Sequence, residues 1–345
     1  MELDESIVAL MSRKKTVMVT GGAGYIGSHV VLALRSAGWS VVVLDDLSTG
    51  SRDVIPADVP LVVEDIENQD AVRTILSEHS CVGVMHFAGA IVVPESVSNP
   101  LKYYEKNVSA SRNLIEVCVE ENIDAFVFSS TASVYGAPEV LPVDENSPTQ
   151  PESPYGSSKL MTEWMLRDVS AASNLKTAIL RYFNVAGADP DGRSGQMLKD
   201  ATHLIKVACQ TVTGVRDHMF IYGDDYDTPD GTCVRDYIHV SDLADAHVLA
   251  LDYILREQKN LLMNCGYGHG FSVREVVDTV CKVAGEKLPV SIGPRRPGDV
   301  PCIVATSEMI RGVLGWTPKY DDIELIVRTA LDWERKLASQ EQETS

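Results

Sequence analysis

A tyrosine and a lysine four residues apart are the side chains best suited to acid–base chemistry in this sequence. Tyr155 and Lys159 lie at the start of a predicted helix over 157–170, and positions i and i+4 share one helical face. A free tyrosine has a pKa of about 10. A neighbouring ammonium group favours the phenolate, so Tyr155 is predicted to be a general base near neutral pH. Such a pair also occurs by chance on solvated surfaces, so its meaning depends on its surroundings.

Three hydroxyl side chains follow a predicted buried strand over 125–128. They are Ser129, Ser130 and Thr131, and they precede the Tyr155–Lys159 pair in the chain. Parallel sheets of the doubly wound kind bind ligands at the carboxyl ends of their strands. These hydroxyls are therefore predicted to face a ligand together with Tyr155.

A glycine-rich turn near the N-terminus predicts a dinucleotide site. The predicted strand over 16–20 runs into Gly21, Gly24 and Gly27, and an amphipathic helical pattern follows. Such glycines allow a tight turn, a close approach to a pyrophosphate and close packing of helix on sheet. The start of the helix presents free N–H groups and a positive dipole end to the phosphates. Taken alone, the turn also fits an ordinary strand–turn–helix.

An acidic residue at the end of the second predicted strand favours NAD as the dinucleotide. Asp45 follows Gly27 by 18 residues, close to the ~20 expected for an acid that binds the ribose hydroxyls. A carboxylate there would repel a 2′-phosphate, which disfavours NADP. The cationic nicotinamide of NAD would further favour a Tyr155 phenolate. Asp65, after the third strand, could accept the adenine amino hydrogen. The alternatives are a turn residue for Asp45 and an N-cap for Asp65.

Strands that alternate with helices must position these side chains. Alternation of this length predicts an α/β fold with a Rossmann-type doubly wound parallel sheet and a smaller α/β substrate-binding domain. We expect a flexible extension over 1–14, an NAD-binding domain over 15–185 plus 238–269, and a substrate domain over 186–237 plus 270–345. The predicted strands are 16–20, 41–44, 61–63, 83–86, 125–128, 177–181 and 235–240, and the longer predicted helices are 70–77, 102–120, 157–170 and 242–256.

Composition excludes several classes of protein. Hydrophobic residues make up 45% of the 345 residues and charged residues 23%, which is typical of a globular chain. The formal net charge of −19 makes the chain a poor nonspecific partner for nucleic acid or an anionic membrane. We therefore expect no nucleic-acid or membrane partner.

Several residue types indicate where the protein is located and whether it binds a metal. Seven scattered cysteines without a Cys-x-x-Cys pair predict reduced thiols. No apolar run reaches the length of a membrane helix, and the order of charges at the N-terminus does not fit a signal peptide. The reduced thiols and the N-terminal charge order therefore predict a cytoplasmic protein. The histidines show no metal-binding spacing, so we expect no metal site.

Seven longer segments resemble the extended short-chain dehydrogenase/reductases, and within them the UDP-glucose 4-epimerases. The resemblance runs from about residue 16 to about residue 334, and its last three segments are far more specific than the glycine turn. The segments are TGGAGYIGSH (20–29), HFAGAIVVPES (86–96), FSSTASVYG (128–136), SPYGSSKLMTE (153–163), LRYFNVAGADP (180–190), DGTCVRDYIHVSDLADAH (230–247) and PRRPGD (294–299).

The resemblance implies a reversible 4-epimerisation of UDP-glucose and UDP-galactose through a 4-keto sugar, with tightly bound NAD. It implies that Tyr155 is the base, that Lys159 binds the nicotinamide ribose, and that Thr131 bonds the sugar 4′-hydroxyl. It also implies a homodimer built on the predicted helices over 102–120 and 157–170.

The same resemblance implies the residues around each ligand. Those around NAD are Gly21, Gly24, Tyr25, Ile26, Gly27, Asp45, Asp46, Leu47, Ser48, Thr49, Gly50, Asp65, Ile66, Phe87, Ala88, Gly89, Asn107, Ser129, Tyr155, Lys159 and Phe183. Those around the UDP-sugar are Thr131, Tyr155, Asn184, His203, Leu204, Phe220, Tyr222, Arg235, Tyr237, Arg296 and Asp299.

The net charge of the chain supports the predicted residues around the UDP-sugar, because a chain this acidic needs local cations to bind a diphosphate. Arg295 and Arg296 form such a cationic point, and arginine side chains offer the forked geometry that suits phosphate. The alternative for both arginines is a solvated surface loop.

Three departures from the family pattern leave the substrate open. Many relatives have Lys where Ile91 stands and Asn where His203 stands, and Ile303 occupies a position that gates N-acetylated sugars. A 4-epimerase of a UDP-hexuronate, UDP-pentose or UDP-N-acetylhexosamine therefore stays possible. A 4,6-dehydratase is disfavoured because Ala132 and Ser133, rather than Asp-Glu, follow Thr131. A non-catalytic NAD-sensing regulator is disfavoured by the intact Tyr155–Lys159 pair.

Overall fold

The computed structural model describes residues 15–296 and 299–344. The extension predicted over 1–14 lies outside the described residues. The strands are β1 (Thr16–Thr20), β2 (Ser40–Asp45), β3 (Leu61–Val63), β4 (Cys81–His86), β5 (Ala125–Ser129), β6 (Lys176–Tyr182), β7 (Asn184–Ala186), β8 (Met219–Tyr222), β9 (Val234–Arg235), β10 (Tyr237–His239), β11 (Leu261–Cys265), β12 (Phe271–Ser272), β13 (Val290–Gly293) and β14 (Cys302–Ile303).

The helices surround these strands. They are α1 (Tyr25–Ser36), α2 (Gln69–Glu78), α3 (Val93–Ser98), α4 (Pro100–Tyr103), α5 (Ala110–Glu120), α6 (Pro154–Ala172), α7 (Leu204–Val212), α8 (Val240–Glu257), α9 (Val273–Ala284), α10 (Glu308–Leu314) and α11 (Ile323–Thr344). Short 3₁₀ helices span Arg52–Val54 and Ala132–Val134, and a π-helix spans Tyr104–Ser109.

Seven strands form the central sheet, in the order β11-β6-β5-β4-β1-β2-β3. All six strand pairs are parallel. The strand order reverses between β1 and β4, which is where open α/β sheets bind ligands. The predicted Rossmann-type parallel sheet is confirmed.

Alternating side chains explain why both faces of this sheet are covered by helices. Val17 and Val19 of β1 belong to one buried apolar cluster, and Met18 between them belongs to another. Helices α1 and α8 supply side chains to the first cluster, and α2 and α5 supply side chains to the second. Each large apolar side chain buried in this way stabilises the fold by about 1.5–3 kcal/mol. The sheet is therefore a rigid platform for the loops at its carboxyl edge.

The single strand predicted over 235–240 is wrong. β9 pairs with β12 and β14 in one small sheet, and β10 pairs with β7 in another. Asp236 lies between β9 and β10, is fully buried, and accepts the N–H groups of Tyr267 at 3.0 Å and Gly268 at 3.1 Å. This carboxylate anchors the chain between two short strands that join different sheets. The seventh strand of the central sheet is β11 instead.

The long helix predicted over 102–120 is three consecutive helical segments. The π-helix lies between α4 and α5, and such π segments are frequent at functional sites. It carries Asn107, whose Oδ1 accepts the Ala90 N–H at 2.8 Å and whose Nδ2 donates to Ala90 O at 2.9 Å. The irregular segment thus fixes the loop that follows β4.

Candidate active site

Gly21 and Gly27, two of the three glycines spaced three residues apart at the junction of β1 and α1, leave no room for side chains. Gly21 has a φ of +67°, and a Cβ there would lie 2.5 Å from Ala88 N. A Cβ at Gly27 would lie 2.2 Å from Gly21 O, so the start of α1 packs directly on the turn. At Gly24 the nearest neighbour of an added Cβ is Gly21 O at 3.2 Å. Gly24 borders a cavity, and the turn therefore offers the bare backbone cradle that a pyrophosphate needs.

A cavity of about 740 Å³ follows the carboxyl edge of the sheet from this turn to the Tyr155–Lys159 pair. This position agrees with the reversal of strand order described above. The predicted residues that line it are Gly21, Gly24, Tyr25, Ile26, Gly27, Asp45, Asp46, Ser48, Thr49, Asp65, Ile66, Phe87, Ala88, Gly89, Ser129, Thr131, Tyr155, Lys159, Phe183, Asn184, His203, Leu204 and Tyr237.

Two carboxylates are held at one end of the cavity. Asp45 Oδ2 accepts the Ala23 N–H and Asp45 Oδ1 accepts the Leu47 N–H, each at 2.8 Å. Burial raises the pKa of Asp45, and the two backbone N–H groups oppose that shift. For Asp65, burial raises the pKa, but hydrogen bonds from the Glu67 N–H and from Lys106 outweigh it and leave the pKa below its usual value. Both carboxylates have fixed orientations, as a site for ribose or adenine requires.

Lys159 is buried beside the end of β5. Its Nζ donates to Ser129 O at 3.0 Å and lies 4.9 Å from the centre of the Phe128 ring. Burial lowers the pKa of Lys159 to about 8, and the Glu163 carboxylate one turn further along α6 opposes that shift. The ammonium form is therefore held in a partly apolar setting, where it acts strongly on a neighbouring charge.

Tyr155 and Thr131 meet in the cavity. Ser153 caps α6 by accepting the Gly156 N–H at 3.2 Å, which places Tyr155 in the first turn. Thr131 begins the short 3₁₀ helix after β5, where its Oγ1 accepts the Ser133 N–H at 3.1 Å. Burial raises the pKa of Tyr155, and a hydrogen bond with the Thr131 side chain opposes that shift. Without a bound cation, Tyr155 is thus a phenol, and a positive charge in the cavity would favour its phenolate.

Three predicted cofactor-binding residues are not among the residues that line the described cavity. They are Leu47, Gly50 and Asn107. Leu47 has a φ of +58° in the loop after β2, and a Cβ at Gly50 would meet Ala23 at 2.9 Å. Asn107 is 2% exposed and also donates to Ser158 Oγ at 3.0 Å. These residues shape the loops around the cavity.

The remaining predicted substrate-binding residues form a separate cationic cluster. Arg296 Nε donates to Asp299 Oδ2 at 2.9 Å, and Arg235 lies 3.5 Å from the same carboxylate. The Arg296 guanidinium stacks 4.9 Å from the centre of the Tyr222 ring, and the Phe220 ring lies 6.1 Å from that of Tyr222. Tyr237 connects this cluster to the cavity, because it lines the cavity and lies two residues after Arg235. Two arginines next to exposed aromatic rings suit a nucleoside diphosphate.

The three positions that depart from the family pattern have different surroundings. Ile91 lines the cavity and is 49% exposed. His203 lines the cavity just before α7; the residue is exposed at the cavity surface, and partial loss of water around its ring lowers its pKa. Ile303 is 7% exposed and packs in an apolar cluster with Tyr135 and Phe183, and it is not among the described lining residues. Phe183 of the same cluster does line the cavity.

Several cavity residues were missed by the sequence analysis. Tyr182 ends β6, lines the cavity, and shares a short hydrogen bond with Ser129 Oγ. Its place at a strand end is the signal that could have identified it. Lys206, Trp333 and Glu334 also line the cavity, and nothing in their local sequence signals this.

Among residues 15–296 and 299–344, no group of three or more His, Cys, Asp or Glu side chains is placed to hold a metal ion. Within the same residues no helix is both long and apolar enough to cross a lipid bilayer.

Comparisons with known proteins agree with this geometry. Residues 17–266 match the model of the NAD dependent epimerase/dehydratase family. A UDP-glucose 4-epimerase of Azospirillum brasilense is 60% identical over 321 residues, which are 93% of this chain and 92% of that protein.

Two solved structures are similar over nearly their whole length. The first, UDP-glucose 4-epimerase from Brucella ovis in complex with NAD, has a TM-score of 0.89 and 41% identity and covers 92% of this chain and 98% of its own. The second, UDP-glucose 4-epimerase from Bifidobacterium longum in complex with NAD⁺ and UDP, has a TM-score of 0.89 and 37% identity and covers 93% and 98%.

Proposed function

Because the chain belongs to the NAD dependent epimerase/dehydratase family, we propose that it interconverts UDP-glucose and UDP-galactose by epimerisation at C4, with NAD as a tightly bound cofactor. The observation that carries this proposal is the buried group Thr131, Tyr155 and Lys159, in one cavity with the glycine turn. The 60% identity to a UDP-glucose 4-epimerase supports the choice of substrate. Bound NAD supplies the chemistry that accepts and returns hydride at the sugar carbon.

The chain's own residues manage the proton. Tyr155 removes the proton of the 4′-hydroxyl. It returns the proton after the 4-keto sugar has rotated in the cavity to present its opposite face. The Lys159 ammonium, which also binds the nicotinamide ribose, stabilises the phenolate form of Tyr155. The Thr131 hydroxyl bonds the sugar 4′-hydroxyl and orients it towards Tyr155.

The cofactor and substrate use different parts of the chain in this proposal. Residues 15–185 plus 238–269 bind NAD through the glycine turn and the ends of the central strands. Residues 186–237 plus 270–345 bind the nucleotide sugar. Arg235 and Arg296 take the diphosphate, and binding energy from that remote group retains the 4-keto sugar between the two hydride transfers.

We also propose a cytoplasmic homodimer. Its contact is predicted on the helices over 102–120 and 157–170, and the second of these carries the exposed Trp164 of α6. Val97 of α3 and Leu101 of α4, just before residue 102, extend this apolar surface; Val97, Leu101 and Trp164 are 66%, 76% and 47% exposed. Exposed apolar side chains close together are typical of protein–protein contacts. All seven cysteines are free thiols, which supports a reducing compartment.

An assay without added cofactor tests the proposed reaction. The purified protein is incubated with UDP-galactose, and the products are separated by anion-exchange chromatography. We expect UDP-glucose to form until the two sugars reach equilibrium. Protein that is fully loaded with NAD but leaves UDP-galactose unchanged contradicts this proposal. UDP-hexuronates, UDP-pentoses and UDP-N-acetylhexosamines in parallel reactions show whether another UDP-sugar is turned over faster.

A further inference from the structure

A loop over 187–198 forms the wall of the cavity beside the glycine turn. Gly187 and Gln196 of this loop line the cavity. The hydroxyl of Tyr25, the first residue of α1, donates to Gly187 O at 2.6 Å. One end of the loop is thereby bonded to the element that is proposed to hold the pyrophosphate.

The C-terminal helix α11 holds the same loop from its other side. Trp333 Nε1 donates to Gln196 O at 3.3 Å. The indole packs so closely on Gly195 that a Cβ there would lie 2.5 Å from Trp333 Cγ. Lys336 Nζ donates to Gly192 O at 2.7 Å. A helix from the far end of the chain therefore contacts three residues of a cavity loop.

A buried ion pair joins the loop, α7 and α11. Lys206 Nζ donates to Gln196 O at 2.7 Å and also pairs with the Glu334 carboxylate. The Lys206 and Glu334 side chains are 6% and 4% exposed, and both residues line the cavity. Removing one partner of so buried a pair leaves an uncompensated charge, which strains the contacts around it.

We propose that α11 is a wall of the dinucleotide site, and that Lys206, Trp333 and Glu334 are positioning residues that keep the 187–198 loop closed over bound NAD. The inference rests on the proposed placement of NAD at the glycine turn. For the dinucleotide to leave between the turn and α11, the bonds to Gln196 and the buried ion pair must loosen. Slow release does not limit turnover, because epimerisation regenerates NAD in every cycle.

The rate of NAD loss from the purified protein tests this inference, with a matched control on the same helix. Glu334→Gln removes the buried charge, whereas Glu324→Gln removes a carboxylate that pairs with Lys282 at the surface, where the two side chains are 40% and 68% exposed. Both variants and the wild type are loaded with NAD and freed of excess nucleotide. The NAD still bound is then measured over time, well below the melting temperature.

We expect Glu334→Gln to lose NAD roughly 5–150-fold faster than the wild type, the usual range of coupling between two sites. Glu324→Gln should match the wild type within about twofold, because exposed ion pairs contribute little. Trp333→Phe keeps an aromatic ring but loses the bond to Gln196 O and part of the indole packing on Gly195, so it should fold and release NAD at an intermediate rate. It serves as the test if Glu334→Gln does not fold.

Three outcomes separate this inference from the proposed function. Wild-type-like NAD retention in both Glu334→Gln and Trp333→Phe overturns the inference and leaves the proposed reaction standing. Equal acceleration in Glu324→Gln also overturns it, because the effect would then be general to α11. A wild-type protein that cannot be loaded with NAD at all overturns the proposed function, and the inference with it.

Discussion

Tyr155 and Lys159 owe their opposite pKa shifts to one cause, which is burial. Burial raises the pKa of the Tyr155 phenol and lowers the pKa of the Lys159 ammonium to about 8, because both charged forms lose water. At neutral pH Lys159 therefore stays largely an ammonium, and Tyr155 stays a phenol until another positive charge enters the cavity. At the scale of single residues, the site is built so that the phenolate forms mainly when the cofactor is present.

Replacing Tyr155 by Phe tests its role as the base. We expect Tyr155→Phe to lower kcat by at least ~10²–10⁴-fold, the usual contribution of general-base catalysis. The KM for UDP-galactose should change little, because the ring is retained. Tyr182→Phe removes the other phenol beside Ser129 and should cost less than about tenfold, since that hydroxyl is bonded within the protein. Steady-state kinetics measure kcat and KM for both variants. Near-wild-type activity of Tyr155→Phe would refute the role of Tyr155 as the general base.

At the scale of elements, the strand–turn–helix of β1 and α1 depends on the missing side chain of Gly27. In Gly27→Ala the new Cβ would lie 2.2 Å from Gly21 O, so α1 must move away from the turn. We expect a loss of stability of about 1–3 kcal/mol, typical of overpacking, together with weaker retention of NAD. Urea denaturation and the bound NAD content measure the two effects.

A matched glycine in α10 serves as the control for this prediction. A Cβ at Gly312 meets nothing within 4 Å. Gly312→Ala should therefore be neutral or stabilising by about 0.5–1 kcal/mol, because alanine loses less entropy than glycine in a helix. If both alanine variants behaved alike, close packing at the turn would not be the reason for Gly27.

The helices α3, α4 and α6 carry the proposed dimer contact. We expect Trp164→Glu to convert the dimer to monomers at micromolar concentration, because a carboxylate would be buried without a partner. Val215→Glu, at a 50% exposed position outside these helices, should leave the dimer intact. Sedimentation velocity measures both proteins, and a monomeric wild type would disprove the dimer itself.

At the scale of the whole molecule, four buried histidines predict how stability depends on pH. Burial lowers the pKa of His29 and His247 to about 4 and of His86 and His239 to about 3. The unfolded chain binds these protons near pH 6.5, so their contribution to stability is complete above that pH and is lost as the pH falls towards 4. Each histidine should lower the free energy of unfolding by about 2 kcal/mol at pH 5 relative to pH 7.

Chemical denaturation at pH 7 and pH 5 tests this dependence. His247 is the most suitable site for a variant, because its Nε2 is buried without a hydrogen-bond partner among the described residues. His247→Leu should reduce the loss of stability between the two pH values by about 2 kcal/mol. An unchanged difference would mean that His247 does not contribute to the pH dependence.

The sequence by itself determined six of the seven strands of the central sheet and the side chains at its carboxyl edge. Both depend on local patterns. Runs such as 17–19 and 125–128 are apolar throughout, and the glycine spacing after the first strand is contained within the seven residues 21–27. The helix predicted over 157–170 begins three residues earlier, at Pro154, because its Ser153 cap and Pro154 precede the apolar pattern, and it ends two residues later, at Ala172.

Only the tertiary structure decided which distant residues complete the cavity. The chain divides at Asp236 because the buried carboxylate binds Tyr267 and Gly268 from a later segment, and no local pattern encodes those partners. Lys206 and Glu334 are 128 residues apart and meet only when α7 packs against α11. Local spacing determines which face a side chain occupies, whereas the partner across a cavity is set by how the faces of whole elements pack.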